Sequence, residues 1–197
     1  MAEEDKELIA RAARGESEAF GTLYDRHASR IYRFIFLKTG HKGDAEDLLH
    51  EVFLSAWKSI KTYRTQAAIP FTSWLYQIAR NRIIDYYRAK KPGISLDDIM
   101  KNDSLPIELT ATASTLFAHA LHQKLEFEKI MRAVKALPDE YQTILIMRYV
   151  EDLSPEEIGA VVGKTSGAVR VLQHRALAQL KKHIEETYGK RIPHQTA

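Results

Sequence analysis

Leu153-Ser154-Pro155-Glu156-Glu157-Ile158-Gly159-Ala160-Val161-Val162-Gly163-Lys164-Thr165-Ser166 writes a helix start, a glycine turn and a second helix start in one short stretch. Ser154 suits the N-cap and Pro155 the first helical position, where its missing N–H is harmless. Glu157 can close a capping box, and Leu153 and Ile158 can staple the entry. Gly163 tolerates the positive φ that a tight reversal requires, and Thr165 can cap the helix that follows. In that second helix Val169, Leu172, Ala176 and Leu180 share one stripe by their spacing of three and four, leaving Ser166, Arg170, Gln173 and His174 on another. Two helices joined through a glycine turn, the second presenting basic and amide groups, form a helix-turn-helix suited to the major groove. There Arg can pair guanine bidentately and Gln can pair adenine. The competing reading is a plain helical hairpin with a solvated polar stripe. The caps, the turn and a net charge of +5 over residues 161–197 together favour DNA.

Outward from this stretch the charge is parcelled into blocks. The 197 residues carry a net +3, but the distribution runs −2 over residues 1–60, +6 over 61–91, −6 over 92–160 and +5 over 161–197. Two basic segments separated by an acidic middle suggest two DNA-facing modules on one chain. Cysteine is absent, which excludes disulfides and thiolate metal sites. The opening Met1-Ala-Glu-Glu-Asp-Lys-Glu is acidic and lacks the order of a signal peptide. Apolar runs such as Ile144-Leu-Ile-Met147 fall far short of the ~18 residues of a membrane span. A soluble cytoplasmic protein without membrane insertion is expected.

Almost every periodic segment repeats at three and four residues, so an all-α chain of two small helical domains is expected. Leu8, Ile9, Ala12 and Ala13 open a first helix that Gly15 stops. Phe20, Leu23, Tyr24, His27, Ile31, Phe34 and Ile35 mark a second. After the break at Thr39-Gly40-His41-Lys42-Gly43, Asp44 is a candidate N-cap for a helix to about Lys58. Another helix runs from Phe71 to about Lys90, before Pro92-Gly93. Residues 94–112 hold Asp97, Asp98, Asp103 and Pro106 without a period and read as linker. Periodicity resumes by Leu116 and reaches Leu137, where Pro138 punctuates it.

The central basic block threads Phe71, Trp74, Tyr76, Tyr86 and Tyr87 with Arg64, Arg80, Arg82, Arg88, Lys90 and Lys91. Leu75, Ala79, Ile83 and Tyr86 face a core, and Gln77, Arg80, Asn81, Ile84 and Arg88 line a mostly polar stripe. Trp74 reads more readily as core than as a stacking platform. Positive charge along a backbone with polar and aromatic groups at hand suits single-stranded nucleic acid, and the polar loop from Lys61 to Ala68 suits an extruded nucleotide. In the preceding helix Leu48, Leu49, Val52, Phe53 and Ala56 make a buried stripe. The opposite face shows Asp47, His50, Glu51, Leu54 and Lys58, an exposed leucine among acids that suits a basic partner with an apolar pocket, or is simply a solvated face. A metal reading from Asp47, His50 and Glu51, or from His119, His122 and Glu126, lacks the paired Glu-x-x-His spacing of helical-bundle metal sites, so no metal is expected.

In order and spacing these segments resemble a bacterial RNA polymerase sigma factor of the extracytoplasmic-function group. Asp44-Ala45-Glu46-Asp47-Leu48-Leu49-His50-Glu51-Val52-Phe53 is similar to the family's region 2 helix that grips the clamp helices of the polymerase β′ subunit, with His50 where the family usually has Gln. Phe71-x-x-Trp74-Leu75-x-x-Ile78-Ala79-Arg80-Asn81-x-x-x-Asp85-x-x-Arg88 resembles the segment that opens and reads the −10 element. Leu137-Pro138 through Lys182 resembles region 4, whose helix-turn-helix reads the −35 element. The commonly basic position of its recognition helix is Leu172 here, so base readout leans on Arg170, Gln173 and His174.

The resemblance implies region 2 over residues 8–91, an acidic linker over 92–126 and region 4 over 127–185. It implies polymerase contacts at Asp47, His50, Glu51 and Leu54, −10 contacts at Arg64, Arg80, Asn81 and Arg88, and −35 contacts at Ser166, Arg170, Gln173 and His174. The implied partners are core RNA polymerase through its β′ clamp helices and β flap, promoter DNA, and in many members an anti-sigma factor. No cofactor and no catalysis of its own are expected. A stand-alone helix-turn-helix regulator is the alternative, and a metal-dependent hydrolase using His50 or His119 and His122 is a third class.

Overall fold

The structure is a computed structural model that describes residues 2–63, 69–90 and 126–188. The described elements are helical throughout: α1 (Ala2–Ala13), α2 (Ser17–Thr39), α3 (Lys42–Ser59), a 3-10 turn (Ile60–Thr62) and α4 (Phe71–Lys90), then α5 (residues 126–135), α6 (Asp139–Tyr149), α7 (Pro155–Val162) and α8 (Ser166–Tyr188). The first four helices form one bundle and the last four a second, and the all-α expectation holds. Arg64, the linker residues 92–125 with His119 and His122, and residues 189–197 lie outside the described residues.

Helix α2 is the axis of the first bundle. Its buried positions Ala19, Leu23, His27, Ile31, Phe34, Ile35 and Lys38 recur at three and four, so one long stripe meets α1, α3 and α4. Gly15 (φ 96) reverses the chain after α1. Gly40 (φ 76) ends α2 with its N–H on the Phe36 carbonyl, the left-handed closure that a Cβ would strain. Asp5 in α1 meets the buried His27, 3.0 Å from Nε2, which ties α1 down. Burial holds that imidazole below its ordinary pKa, with the Asp5 carboxylate pulling the other way.

Helix α3 starts earlier than Asp44, the expected N-cap. His41 takes that place without a side-chain cap, and the helix runs from Lys42. The chain leaves the left-handed Gly40 already turned, so Lys42 and Gly43 join the first turn. The Asp44 carboxylate instead accepts from the Tyr86 hydroxyl and, at 3.0 Å, from Lys90 of α4. An acid in the first turn still favours the positive helix end, and here it also clips α3 to the last turns of α4. An aromatic chain of Phe20, Tyr24, Phe53 and Trp57 fills the α2–α3 seam, and Tyr63, Phe71 and Trp74 close the bundle beneath it.

In the second bundle Ile144, Leu145, Ile146 and Met147 of α6 are all buried, because α6 is enclosed by its own bundle on one side and by α2 on another. Gln142 is buried with them and donates to the Leu137 carbonyl at 2.8 Å, satisfying the turn that carries Pro138. The two bundles touch through α4 against α7 and α2 against α6.

Candidate nucleic-acid and protein interfaces

The helix-turn-helix forms as its local chemistry dictates. Ser154 Oγ accepts from the Glu157 N–H at 3.1 Å and Glu157 returns the bond to the Ser154 N–H at 2.8 Å, a complete capping box with Pro155 behind it. Gly163 takes the left-handed conformation (φ 71) that ends α7. Thr165 Oγ1 accepts from the Ala168 N–H at 3.2 Å to start α8. A second glycine, Gly159, matters for a different reason: a Cβ there would stand 2.5 Å from the Lys164 carbonyl oxygen, so the turn packs directly on it. Gly159→Ala is therefore expected to force the turn apart and to lower stability by about 1–3 kcal/mol, read as a reduced urea midpoint.

On α8, Val169 and Ala176 are fully buried, while Arg170 and His174 stand exposed and Ser166 and Gln173 are half-buried. Neither Arg170 nor Gln173 hangs free. Arg170 donates to the Glu156 carboxylate of α7 at 2.9 Å, and Gln173 Nε2 donates to the Tyr149 hydroxyl at 2.8 Å. The N-terminal backbone of α7, then Ser166 and Arg170, hold the exposed Glu156 carboxyl below its usual range. Both groups are thus oriented by a neighbouring helix before any ligand arrives.

On α4, Asn81 and Arg88 are exposed and Arg80 is half-buried. Arg80 Nε is buried without a hydrogen-bond partner. Arg82 donates to Ser55 Oγ at 2.8 Å and lies 4.0 Å from Asp85, so it braces α3. Trp74 packs partly buried between Tyr63 and Phe71. Tyr63 is fixed through its hydroxyl on the Ile69 carbonyl at 2.9 Å.

On α3, Asp47, His50 and Glu51 are all exposed and Leu54 is 53% exposed. Leu54 forms the rim of a shallow notch walled by Phe20, Phe53 and Trp57. Three acidic or polar groups beside one apolar rim are thus collected on a single helix face. The second bundle carries an apolar groove between α5, α6 and α8, where Phe127, Ile130, Tyr149 and Leu177 are exposed. Among the described residues no three metal-ligating side chains converge, and none of the helices is long and apolar enough to cross a membrane.

Sequence reasoning missed one feature altogether. The Glu151 carboxylate, with no exposed side-chain surface, accepts from Arg33 Nε at 2.7 Å and Nη2 at 2.8 Å and from the Tyr76 hydroxyl at 2.8 Å. Arg30 lies 3.6 Å from the same carboxylate and donates to the Glu151 carbonyl. Burial beside this anion pushes the Tyr76 phenol far up. At the other end of α6 the buried Lys38 ammonium meets Asp139 and, at 3.2 Å, Thr143 Oγ1. The sequence did hold a signal: Lys38 falls on the apolar stripe of Ile31, Phe34 and Ile35, where a lysine requires an anion.

Profile comparison matches Sigma-70 region 2 to residues 23–92 and Sigma-70 region 4 to residues 127–180. The chain is similar to the ECF RNA polymerase sigma factor BldN of Streptomyces coelicolor, 34% identical over 91% of this chain and 66% of the relative. It is also similar to the ECF RNA polymerase sigma factor SigW of Bacillus subtilis, 29% identical over 92% and 97% respectively. Among solved structures, CnrH in complex with the cytosolic domain of CnrY shares the fold at a TM-score of 0.69, covering 93% of this chain and 99% of that one at 22% identity. With both conserved regions matched in order, on helices of the expected kind, the chain belongs to the extracytoplasmic-function group of the sigma-70 family of RNA polymerase sigma factors.

Proposed function

We propose that this protein binds core RNA polymerase and directs it to promoters, with no catalysis of its own, acting in the cytoplasm where the polymerase is. Region 2, over residues 8–91, joins the β′ clamp helices through Asp47, His50, Glu51 and Leu54. Region 4, over 127–185, reads the −35 duplex through Ser166, Arg170, Gln173 and His174. Arg64, Arg80, Asn81 and Arg88 hold the opened −10 strand. Melting follows from differential binding, because a surface that holds single-stranded DNA better than duplex shifts that equilibrium by its affinity ratio. The apolar groove of the second bundle offers the β flap a place to sit.

The observation that carries this reading is the joint presence, in one chain, of an acid-ringed Leu54 face and a capped helix-turn-helix with two pre-oriented base readers. A stand-alone regulator has no use for the first. The test is to mix the protein with core polymerase and a random promoter library and sequence the transcripts. A single enriched −35/−10 pair that vanishes without the protein supports the reading, whereas binding to operators without polymerase at moderate salt supports the regulator.

Arg170→Ala is expected to weaken promoter selection by about 1–3 kcal/mol, concentrated at one base pair of the −35 element. Competition between −35 variants measures this. Equal loss on every variant would make Arg170 a phosphate contact.

A further inference from the structure

The region 2 and region 4 modules are fastened to each other by buried charge, in a way that promoter binding does not need. Glu151 leaves the end of α6 and enters a cage built entirely by region 2: two guanidinium groups from α2 and a phenol from α4. Lys38 of α2 reaches the other way, into Asp139 and Thr143 of α6. Gln77, on the polar stripe of α4, donates to the Ala160 carbonyl of α7 at 2.6 Å, so the first helix of the helix-turn-helix lies against the stripe that carries Arg80 and Asn81.

These contacts fix how far apart the two DNA readers stand. Asn81 lies one turn along α4 from Gln77, about 6 Å of rise, and Arg170 is reached from Ala160 through at most about 36 Å of chain. Including the side chains at the contact, Asn81 and Arg170 stand within about 55 Å. The −35 and −10 positions differ by roughly 25 steps, about 85 Å on a duplex at 3.4 Å per step. The docked arrangement cannot reach both.

We propose that the Glu151 cage is an intramolecular latch, holding region 4 docked on the −10 helix in a closed state that engagement of polymerase and promoter must open. Its chemistry suits a latch better than a permanent joint. A buried ion pair gains little net stability over water, because desolvation offsets the Coulomb attraction, so returning the buried Glu151 and Lys38 to water, beside the already half-hydrated Arg30 and Arg33, changes the charge contribution little. Removing an arginine is different, since it leaves the fully buried Glu151 carboxylate short of a partner and favours the open form, while neutralising Glu151 removes the attraction that holds Arg30 and Arg33 to it. The apparent affinity for core enzyme is the intrinsic affinity scaled by the open fraction, so unlatching tightens it.

The proposal rests on the sigma-factor reading for its meaning, but its first readout does not. The chain has no cysteine, so single cysteines at the exposed Lys42 of α3 and Lys181 of α8 give a clean donor–acceptor pair for energy transfer in the full chain. The parent protein is expected to show high transfer, and Glu151→Gln and Arg33→Gln each to lower it with helicity unchanged. Core polymerase is then expected to bind these variants at least 10-fold more tightly than the parent.

Low transfer in the parent would overturn the latch, as would unchanged transfer in both variants. Should Glu151→Gln lose helicity, Arg33→Gln decides alone, because Arg33 is half exposed on α2 and outside the core. If the variants open but no form binds polymerase, the latch stands and the functional reading falls.

Discussion

Leu54→Glu is expected to weaken binding of core RNA polymerase by roughly 30- to 1,000-fold, about 2–4 kcal/mol, while leaving the unfolding free energy within ~0.5 kcal/mol of the parent. The reasoning begins with exposure. Leu54 keeps 53% of its surface open beside a notch of Phe20, Phe53 and Trp57, so its apolar atoms support no core and the fold does not miss them. Around it stand Asp47, His50 and Glu51, polar groups of the kind that ring an interface anchor and exclude water from it. A carboxylate at the centre of that ring must be desolvated without a partner, and it adds a like charge to two acids. Leu54→Met, which keeps the apolar volume, should bind almost as well as the parent. Competition for fluorescent core enzyme measures both variants. Equal affinity of Leu54→Glu and the parent would move the clamp contact off this face.

The parts of the molecule legible in the sequence are those written by neighbours along the chain. Ser154, Pro155 and Glu157 act within one turn, and Gly163 acts on its own φ, so the helix-turn-helix could be read residue by residue before any packing was known. The stripes of α3 and α4 were equally open, since burial at three and four follows from helix geometry alone. The start of α3 was not. An aspartate after a glycine break looks like a cap, yet a phenol and an ammonium forty residues away drew Asp44 into the first turn instead. What separates the two cases is range.

The same limit governs the sites. The exposed positions of α3 and α8 could be assigned to faces, but the sequence does not tell that Arg170 leans on Glu156 or that Gln173 leans on Tyr149. It also does not tell that a polar stripe will be covered. Gln77 and Arg80 lie on the stripe that periodicity assigns to solvent, and the second bundle settles on it. The block-wise charge pattern suggested two separate basic modules facing DNA. The docked pair instead joins bases of α2, embedded in an acidic block, to acids of the next bundle, because block sums average over the individual charges that meet.

Lys38 gives the sharpest energetic consequence of that docking. Its side chain is 2% exposed, and burial pushes its pKa down while Asp139 pulls it back. Lys38→Met fills the space with apolar atoms but strands Asp139 beside Thr143 with only 15% of its side chain in water. Loss of one member of a buried pair typically costs about 3–5 kcal/mol, and that is the expected loss for the docked state. The double variant Lys38→Met/Asp139→Leu removes both charges and should recover most of it, as apolar replacements of whole buried pairs do. Urea unfolding of the full chain measures all three proteins. The docked contact also sets a ceiling on the loss: once the variant can escape by undocking and hydrating Asp139, the measured destabilisation stops at the free energy of docking itself. A single-variant loss near 3–5 kcal/mol therefore means that the bundles are firmly joined in solution, and a loss below about 1 kcal/mol means that they already part readily. The same two proteins thus report both the worth of the ion pair and the strength of the joint it serves.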